Sequence, residues 1–258
     1  MSNNYSDENI ATMELIYGEG YLSAGGDSEV SKIFEGVQTE NKDILDIGCG
    51  LGGTAVALAK THRAGKVHGI DIEESVLVRA RELVKRESVE DLVNLTCVEP
   101  GDLQFPENSF DIVHITAVAC HFQYLNPLFD EVQRVLRPSG VVVGREWCKL
   151  TDSDEFKRWD QLLRNKGLNF YFITSERFQK ALIDSGFNNV KMTNRSADMS
   201  KLASDAVSSV DSELKNKLIS VLGEEGYEEC RRWTKIRARA LNRGGIGQFR
   251  FVGYKPAV

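Results

Sequence analysis

The chain has 258 residues, 41% hydrophobic and 27% charged, enough for one large α/β domain with a full core, or a core domain with a cap. Its net charge of −6 argues against nucleic acid or an anionic membrane as the main partner. Cys49, Cys97, Cys120, Cys148 and Cys230 form no CxxC pair and have no histidine at metal spacing, so reduced thiols, a cytoplasmic location and no metal are expected. Residues 1–9 lack an apolar core segment, and no run approaches the ~18 apolar residues of a membrane span, so neither export nor insertion is expected.

Residues 5–17 have helical spacing, with Ile10, Met13, Ile16 and Tyr17 on one face, before Gly18, Gly20, Gly25 and Gly26 interrupt the chain. This segment reads either as a lid over a ligand or as a helix packed on the sheet edge. A short helix at 30–37 precedes a first strand at 43–47. There the run Ile44-Leu45-Asp46-Ile47 breaks into Gly48-Cys49-Gly50-Leu51-Gly52-Gly53, ahead of a helix at 54–62. Glycine allows a tight turn and close approach of a ligand to backbone N–H groups. Gly48, Gly50 and Gly53 also match the dinucleotide fingerprint, a weak signal alone. Asp46 decides between the two: a carboxylate at the mouth of the turn repels a pyrophosphate but complements the sulfonium and ammonium of S-adenosylmethionine.

The second strand, 66–72, carries Asp71 at its carboxyl end, where an acid can accept both ribose hydroxyls of an adenosyl cofactor. Glu73 and Glu74 open the next helix, and Lys85 and Arg86 close it, each sign suiting the dipole. A third strand at 92–98 ends in Glu99-Pro100-Gly101-Asp102-Leu103. Asp102 reads either as the partner of an adenine amine or as a solvated turn residue. In the fourth strand, 110–115, His114 sits among apolar neighbours and reads as a satisfied core residue. His121, in the loop beyond, lies on the ligand side, where a neutral imidazole can take a proton from an amine or hydroxyl.

A helix at 128–136 stops before Pro138, and Ser139-Gly140 turns into a fifth strand at 141–146, with Trp147 just past its end. Helices at 152–166, carrying Phe156, Trp159 and Leu163, and at 174–185 flank the cluster Phe170-Tyr171-Phe172. A strand at 188–193 follows. Residues 199–242 read as two helices, the first ending near Leu222-Gly223. The second has Cys230, Trp233, Ile236 and Ala240 on one face. Its Arg231, Arg232, Lys235, Arg237, Arg239 and Arg243 read as a solvated face paired with the acids of 224–229. Residues 249–254 alternate as a last strand. The order indicates a doubly wound, mostly parallel, seven-stranded sheet in a single domain of 1–258. Its parts are an N-terminal lid (1–40), a cofactor core (41–150), a helical cap (151–245) and a final strand (246–258).

The motifs Asp46 to Gly53, Gly69-Ile70-Asp71-Ile72, Phe105-Pro106-Glu107-Asn108-Ser109-Phe110-Asp111 and Leu136-Arg137-Pro138-Ser139-Gly140 together resemble class I S-adenosylmethionine-dependent methyltransferases over roughly residues 40 to 150. Tyr5-Ser6-Asp7-Glu8, the stretch Gly18 to Gly26, His121 and the stretch Trp233 to Lys255 extend this to a resemblance to the phosphoethanolamine N-methyltransferases. The resemblance implies a Rossmann-like fold with a glycine-flanked lid. It implies cofactor contacts from Asp46, Gly48, Gly50, Asp71, Ile72, Asp102, Leu103 and Thr116 in the core, and from Met13, Leu22 and Ser23 in the lid. It implies a Tyr5–His121 dyad across the substrate amine, and acceptor contacts from Tyr21, Trp147, Trp159, Phe170 and Lys235.

Several positions depart from that family. Its lid tyrosine falls on Met13 and an aspartate falls on Ala117. Its phosphate-holding tyrosines fall on Trp147, Trp159 and Phe170, and a phosphate-binding lysine matches Lys235. Loss of phenol hydroxyls removes donors a phosphate needs, whereas aromatic faces favour a methylated cation. The expectation is a monomeric or homodimeric enzyme that methylates the nitrogen of a small amine or amino-acid-like molecule. Phosphobases, and O-, S- or C-methylation of a small metabolite, stay open, as do a dehydrogenase and a binding module.

Overall fold

The computed structural model describes residues 5–257; the outermost residues of the expected lid and last strand, 1–4 and 258, lie outside the described residues. In chain order the elements are α1 (Asp7–Tyr17), α2 (Gly26–Ile33), β1 (Asp43–Ile47), α3 (Gly53–Lys60), β2 (Lys66–Asp71), α4 (Glu74–Arg86), β3 (Val93–Cys97), β4 (Phe110–Thr116), a 3-10 turn (Ala119–His121), α5 (Asn126–Val135), β5 (Leu136–Lys149), α6 (Asp154–Asn165), α7 (Ser175–Asp184), β6 (Asn188–Asn194), α8 (Ser196–Asp211), α9 (Lys215–Asn242) and β7 (Ile246–Tyr254). Ser6, Ser153 and Thr174 start α1, α6 and α7 by accepting from the amides of Asn9, Phe156 and Arg177, which satisfies a donor the helix itself cannot.

The strands run β3-β2-β1-β4-β5-β7-β6. The first five pair in parallel, and β7 lies antiparallel between β5 and β6. This is the mostly parallel seven-stranded sheet expected. Helices cover both faces, so the central strands read as apolar runs. Alternation along β1 divides the core: Ile44 packs with residues of α2, α3 and α4, while Leu45 and Ile47 pack with α5 and α7. Both Ile44 and Leu45 are fully buried, so truncating either to Ala costs about 2–5 kcal/mol. Strand order reverses between β1 and β4, which opens a crevice at their carboxyl ends.

Two expectations shift. β5 starts at Leu136 and runs to Lys149, so Trp147 lies inside the strand, opposite Gln248. β7 pairs β5 beyond the point where its parallel partner β4 stops at Thr116, and this keeps the ladder going. The helical region 199–242 breaks at Ser212 to Leu214 as well as bending at Gly223, which is a kink inside α9 (φ 71°, ψ 173°). A serine ladder leads up to the extra break. Hydroxyls of Ser204, Ser208 and Ser212 bond carbonyls one turn back, in competition with the helix backbone.

α6, α8 and α9 form a third layer over the carboxyl end of the sheet. Its core is Phe156, Trp159, Leu163, Met199, Ala203, Ala238, Ala240, Leu241 and Ile246, with Trp147, Phe170 and Trp233 packed against it. No helix among the described residues is long and apolar enough to cross a membrane.

Candidate active site

A cavity of ≈ 1050 Å³ opens where the strand order reverses, walled by α1, the segment after it, the ends of β1, β2 and β4, and residues of α6 and α9. Ligand pockets of about 300–1,000 Å³ hold one drug-sized molecule, so this one has room for an adenosyl cofactor and a small acceptor.

The glycine turn forms its floor. Gly48 has φ +70°, and a Cβ there would lie 2.3 Å from Val118 Cγ2, so only glycine fits. The expectation that the turn offers its N–H groups to a ligand fails at every glycine. The amides of Gly48 and Cys49 donate to Ile70 O, Gly50 to Asp71 Oδ2, Gly52 to Cys49 O and Gly53 to Gly20 O. A pyrophosphate would find no free donors at these positions.

Asp46 also differs from expectation. It is 1% exposed, and its Oδ1 lies 2.7 Å from His114 Nδ1, the histidine on the facing β4 position. His114 Nε2 in turn meets Thr116 Oγ1 at 2.8 Å. The carboxylate is thus held within the wall, and Oδ2 is left buried without a partner among the described residues. An unpartnered buried carboxylate oxygen costs free energy, and a cationic ligand would relieve it. His114 is the satisfied core residue expected, but Asp46 is what satisfies it.

Asp71 stands at the end of β2, its Oδ2 accepting from Gly50 N at 2.9 Å and its Oδ1 from Glu73 N at 3.1 Å. Burial raises its pKa, and backbone donors oppose that shift. Each oxygen keeps a lone pair for a ribose hydroxyl. Ile72, Asp102, Leu103 and Thr116 line the same side, with Ile72 and Asp102 exposed at the rim. From the N-terminal segment, Met13, Leu22 and Ser23 line the cavity. Ser23 Oγ accepts from the buried Arg145 at 3.1 Å, and Arg145 also reaches Ala24 O and Glu29. A buried carboxylate in the wall, an acid poised for ribose and spent turn amides fit S-adenosylmethionine and do not fit a dinucleotide.

His121 sits on the 3-10 turn with its ring edge-on to Phe170, centroids 4.6 Å apart. The ring opens to the cavity, and desolvation by the surrounding protein lowers its pKa, which keeps the imidazole neutral near pH 7. Tyr5 lines the same cavity. Burial first, then Asp71 and Glu73, push its pKa up to about 12, so its hydroxyl keeps its proton. Tyr21 also lines the cavity, but its hydroxyl is committed to Asp27.

Trp147, Trp159 and Phe170 all reach the cavity, and Trp233 adds a fourth ring, 5.4 Å from Trp159. Lys235 does not. It pairs with Asp211 at 2.7 Å and is absent from the lining, because the apolar face of α9 turns it outward.

Two polar residues that line the cavity, Arg145 and Arg237, and one behind it, Glu146, escape the sequence reading. Glu146, fully buried on β5, accepts from Cys120 N at 3.2 Å and Trp147 N at 2.8 Å. It therefore ties the turn carrying His121 to the strand carrying Trp147, and burial raises its pKa to about 7. Arg145 precedes it. Two charges after the run Val141 to Gly144 were the available signal, since central strands of parallel sheets are apolar. Arg237 is 6% exposed and lines the cavity, so the solvated-face reading is wrong for it. It falls one helical turn beyond Trp233, on the inner face of α9.

Comparison with known proteins agrees with this geometry. The family described as "Methyltransferase domain" matches residues 45–144. A phosphoethanolamine N-methyltransferase of Plasmodium falciparum is 31% identical over 197 residues, covering 73% of this chain and 70% of its own length. Phosphoethanolamine N-methyltransferase 1 of Arabidopsis thaliana is 25% identical over 87% of this chain, which spans 45% of that longer protein. A solved structure of phosphoethanolamine N-methyltransferase 2 from Haemonchus contortus, with phosphomonomethylethanolamine and S-adenosylhomocysteine, superposes with a TM-score of 0.88 at 23% identity. The match covers 98% of this chain and 58% of that one. The chain belongs to the S-adenosylmethionine-dependent methyltransferases, in the family of the phosphoethanolamine N-methyltransferases.

Proposed function

We propose that the protein methylates the nitrogen of a small amine, with His121 as proton acceptor. The observation that carries this reading is a neutral imidazole set against an aromatic wall at one end of a cavity whose other end fits an adenosyl group. S-adenosylmethionine, when bound, supplies a methyl group that leaves its sulfonium for the acceptor nitrogen. The sulfonium needs little activation, so the chain contributes mainly alignment. Asp71 and Asp102 hold the adenosyl end, with Ile72, Leu103, Met13 and Leu22 beside it. Asp46 places negative charge near the cation.

His121 Nδ1 or Nε2 accepts a hydrogen bond from the neutral amine and takes the released proton. Tyr5 and His121 line the same cavity, and the acceptor takes its place between them. Tyr5, protonated at neutral pH, donates from the other side. Trp147, Trp159, Phe170 and Trp233 stabilise the methylated cation through their ring faces and exclude water. Of the segment expected as a lid, the described residues ahead of α2 act as the lid of a single domain, and the acidic net charge supports a small-molecule acceptor rather than nucleic acid.

A second reading, methylation of a phosphobase, is favoured by the names of the relatives. The outward position of Lys235 and the replaced tyrosines weigh against it. The test is a panel of amines, amino acids and phosphobases with methyl-labelled S-adenosylmethionine, the product nitrogen being identified by mass spectrometry. Label on nitrogen supports the proposal; label on oxygen, sulfur or carbon, or none, rejects it, and chief transfer to phosphoethanolamine selects the second reading.

A further inference from the structure

Arg237 is a buried cation lining the cavity that the proposed reaction leaves without a task. Its guanidinium lies between two rings, 5.0 Å from the centroid of Tyr17 and 4.8 Å from that of Trp233, and it donates through Nη1 to the Tyr17 hydroxyl. Nε and Nη2 are buried and have no partner among the described residues. These two nitrogens form the side-on fork of a guanidinium, the edge that takes two oxygens of one oxyanion. Leaving both unpaired in a buried setting is costly, and an anion at this end of the cavity removes the cost.

Charge bookkeeping decides which anion. Lys166, the other cation of the cap that lines the cavity, is spent on Glu229 at 2.7 Å. Arg145 faces Glu29 at 3.5 Å, and Lys235 pairs outside the cavity. Among the described residues the acceptor half therefore has one guanidinium without a carboxylate partner. A phosphate monoester carries nearly two negative charges near neutral pH and would keep one uncompensated against indole and phenyl faces. A carboxylate carries one charge and two coplanar oxygens, which matches a single fork.

Resting on the N-methylation reading above, we infer that the acceptor is an amine bearing a carboxylate, an amino acid or N-methylated amino acid whose carboxylate is held by Arg237 while its nitrogen faces His121. Trp233 stacks on the guanidinium and keeps its plane fixed, and the neighbouring rings receive the alkylated nitrogen.

The test compares four probes, N-methylglycine, its methyl ester, N-methylethanolamine and the O-phosphate of N-methylethanolamine, with the wild type and with Arg237→Met and Arg237→Lys. Methyl transfer gives kcat/KM, and calorimetry gives binding of each probe to the protein saturated with S-adenosylhomocysteine. The expected result is a preference for N-methylglycine over its ester of about 100-fold in the wild type. That ratio should collapse towards unity in Arg237→Met, with Arg237→Lys in between because it keeps the charge and loses the fork. Equal use of acid and ester, preference for the phosphate, or a ratio unchanged by both substitutions would each overturn the inference. If no probe is methylated but N-methylglycine binds in an Arg237-dependent way, the carboxylate subsite stands and the N-methyl reaction falls. If N-methylglycine neither reacts nor binds, the inference is rejected. Should Arg237→Met fail to fold, Arg237→Lys alone carries the comparison.

Discussion

The two halves of the cavity are built in different ways. The cofactor half is made mainly of strand ends and backbone: the amides of Gly48, Cys49 and Gly50 go to Ile70 and Asp71, and Asp46 and Asp71 emerge from fixed register positions. The acceptor half is made of side chains contributed by α1, the 3-10 turn, β5, α6 and α9. A half built on sheet register tolerates few changes at its glycines and acids. A half built on helices brought together by packing can exchange one acceptor for another without disturbing the fold.

Substitutions in the two halves should therefore part company. His121→Ala is expected to lower turnover by about 100-fold or more while the Kd for S-adenosylhomocysteine changes by less than about 3-fold. An equal loss in both would remove the boundary between the halves. Gly48→Ala, which forces Cβ into Val118 at positive φ, should cost about 1–3 kcal/mol of stability and weaken S-adenosylhomocysteine binding, as read by denaturant titration and calorimetry.

Glu146→Gln probes the seam. Burial raises the wild-type carboxyl to a folded pKa of about 7, above the ordinary glutamate value of 4.5, so the folded state holds its proton more tightly than the unfolded one. Between about pH 5 and 8 the wild type should lose stability relative to the variant as pH rises, by up to about 3 kcal/mol. Melting curves across that range would show converging or crossing stabilities; parallel curves would contradict the buried carboxyl. Smallest is Lys235→Ala. Its Asp211 pair is partly exposed, so stability should change by less than about 1 kcal/mol and kcat/KM by less than about 2-fold. A large kinetic loss would return Lys235 to the acceptor site.

The contrast also explains what the sequence made legible. Strand 43–47, the glycine turn and Asp71 are local: pattern and spacing name them, and register carries them to the cavity. His121 and Trp147 were found because they follow strands that end at the same mouth, whereas Trp159 and Phe170 came from the family resemblance. Arg237 was lost in a run of six basic residues, since charge count ignores which face of a helix each residue takes. Glu146 and the Asp46–His114 contact were lost because both depend on pairing between strands distant in sequence. Lys235 was misplaced by two residues, which on a helix is the difference between inside and outside.

The bond from Gly53 N to Gly20 O, 3.0 Å long, ties the first amide of α3 to the segment that follows α1, and Gly20 N is itself held by Glu14 Oε1. On the proposal that this segment is a lid, its opening would break this bond, and ligand exchange would be coupled to local unfolding. Amide hydrogen exchange at Gly53 would then report on that opening, and a single proton on the floor of the site would serve as its gauge.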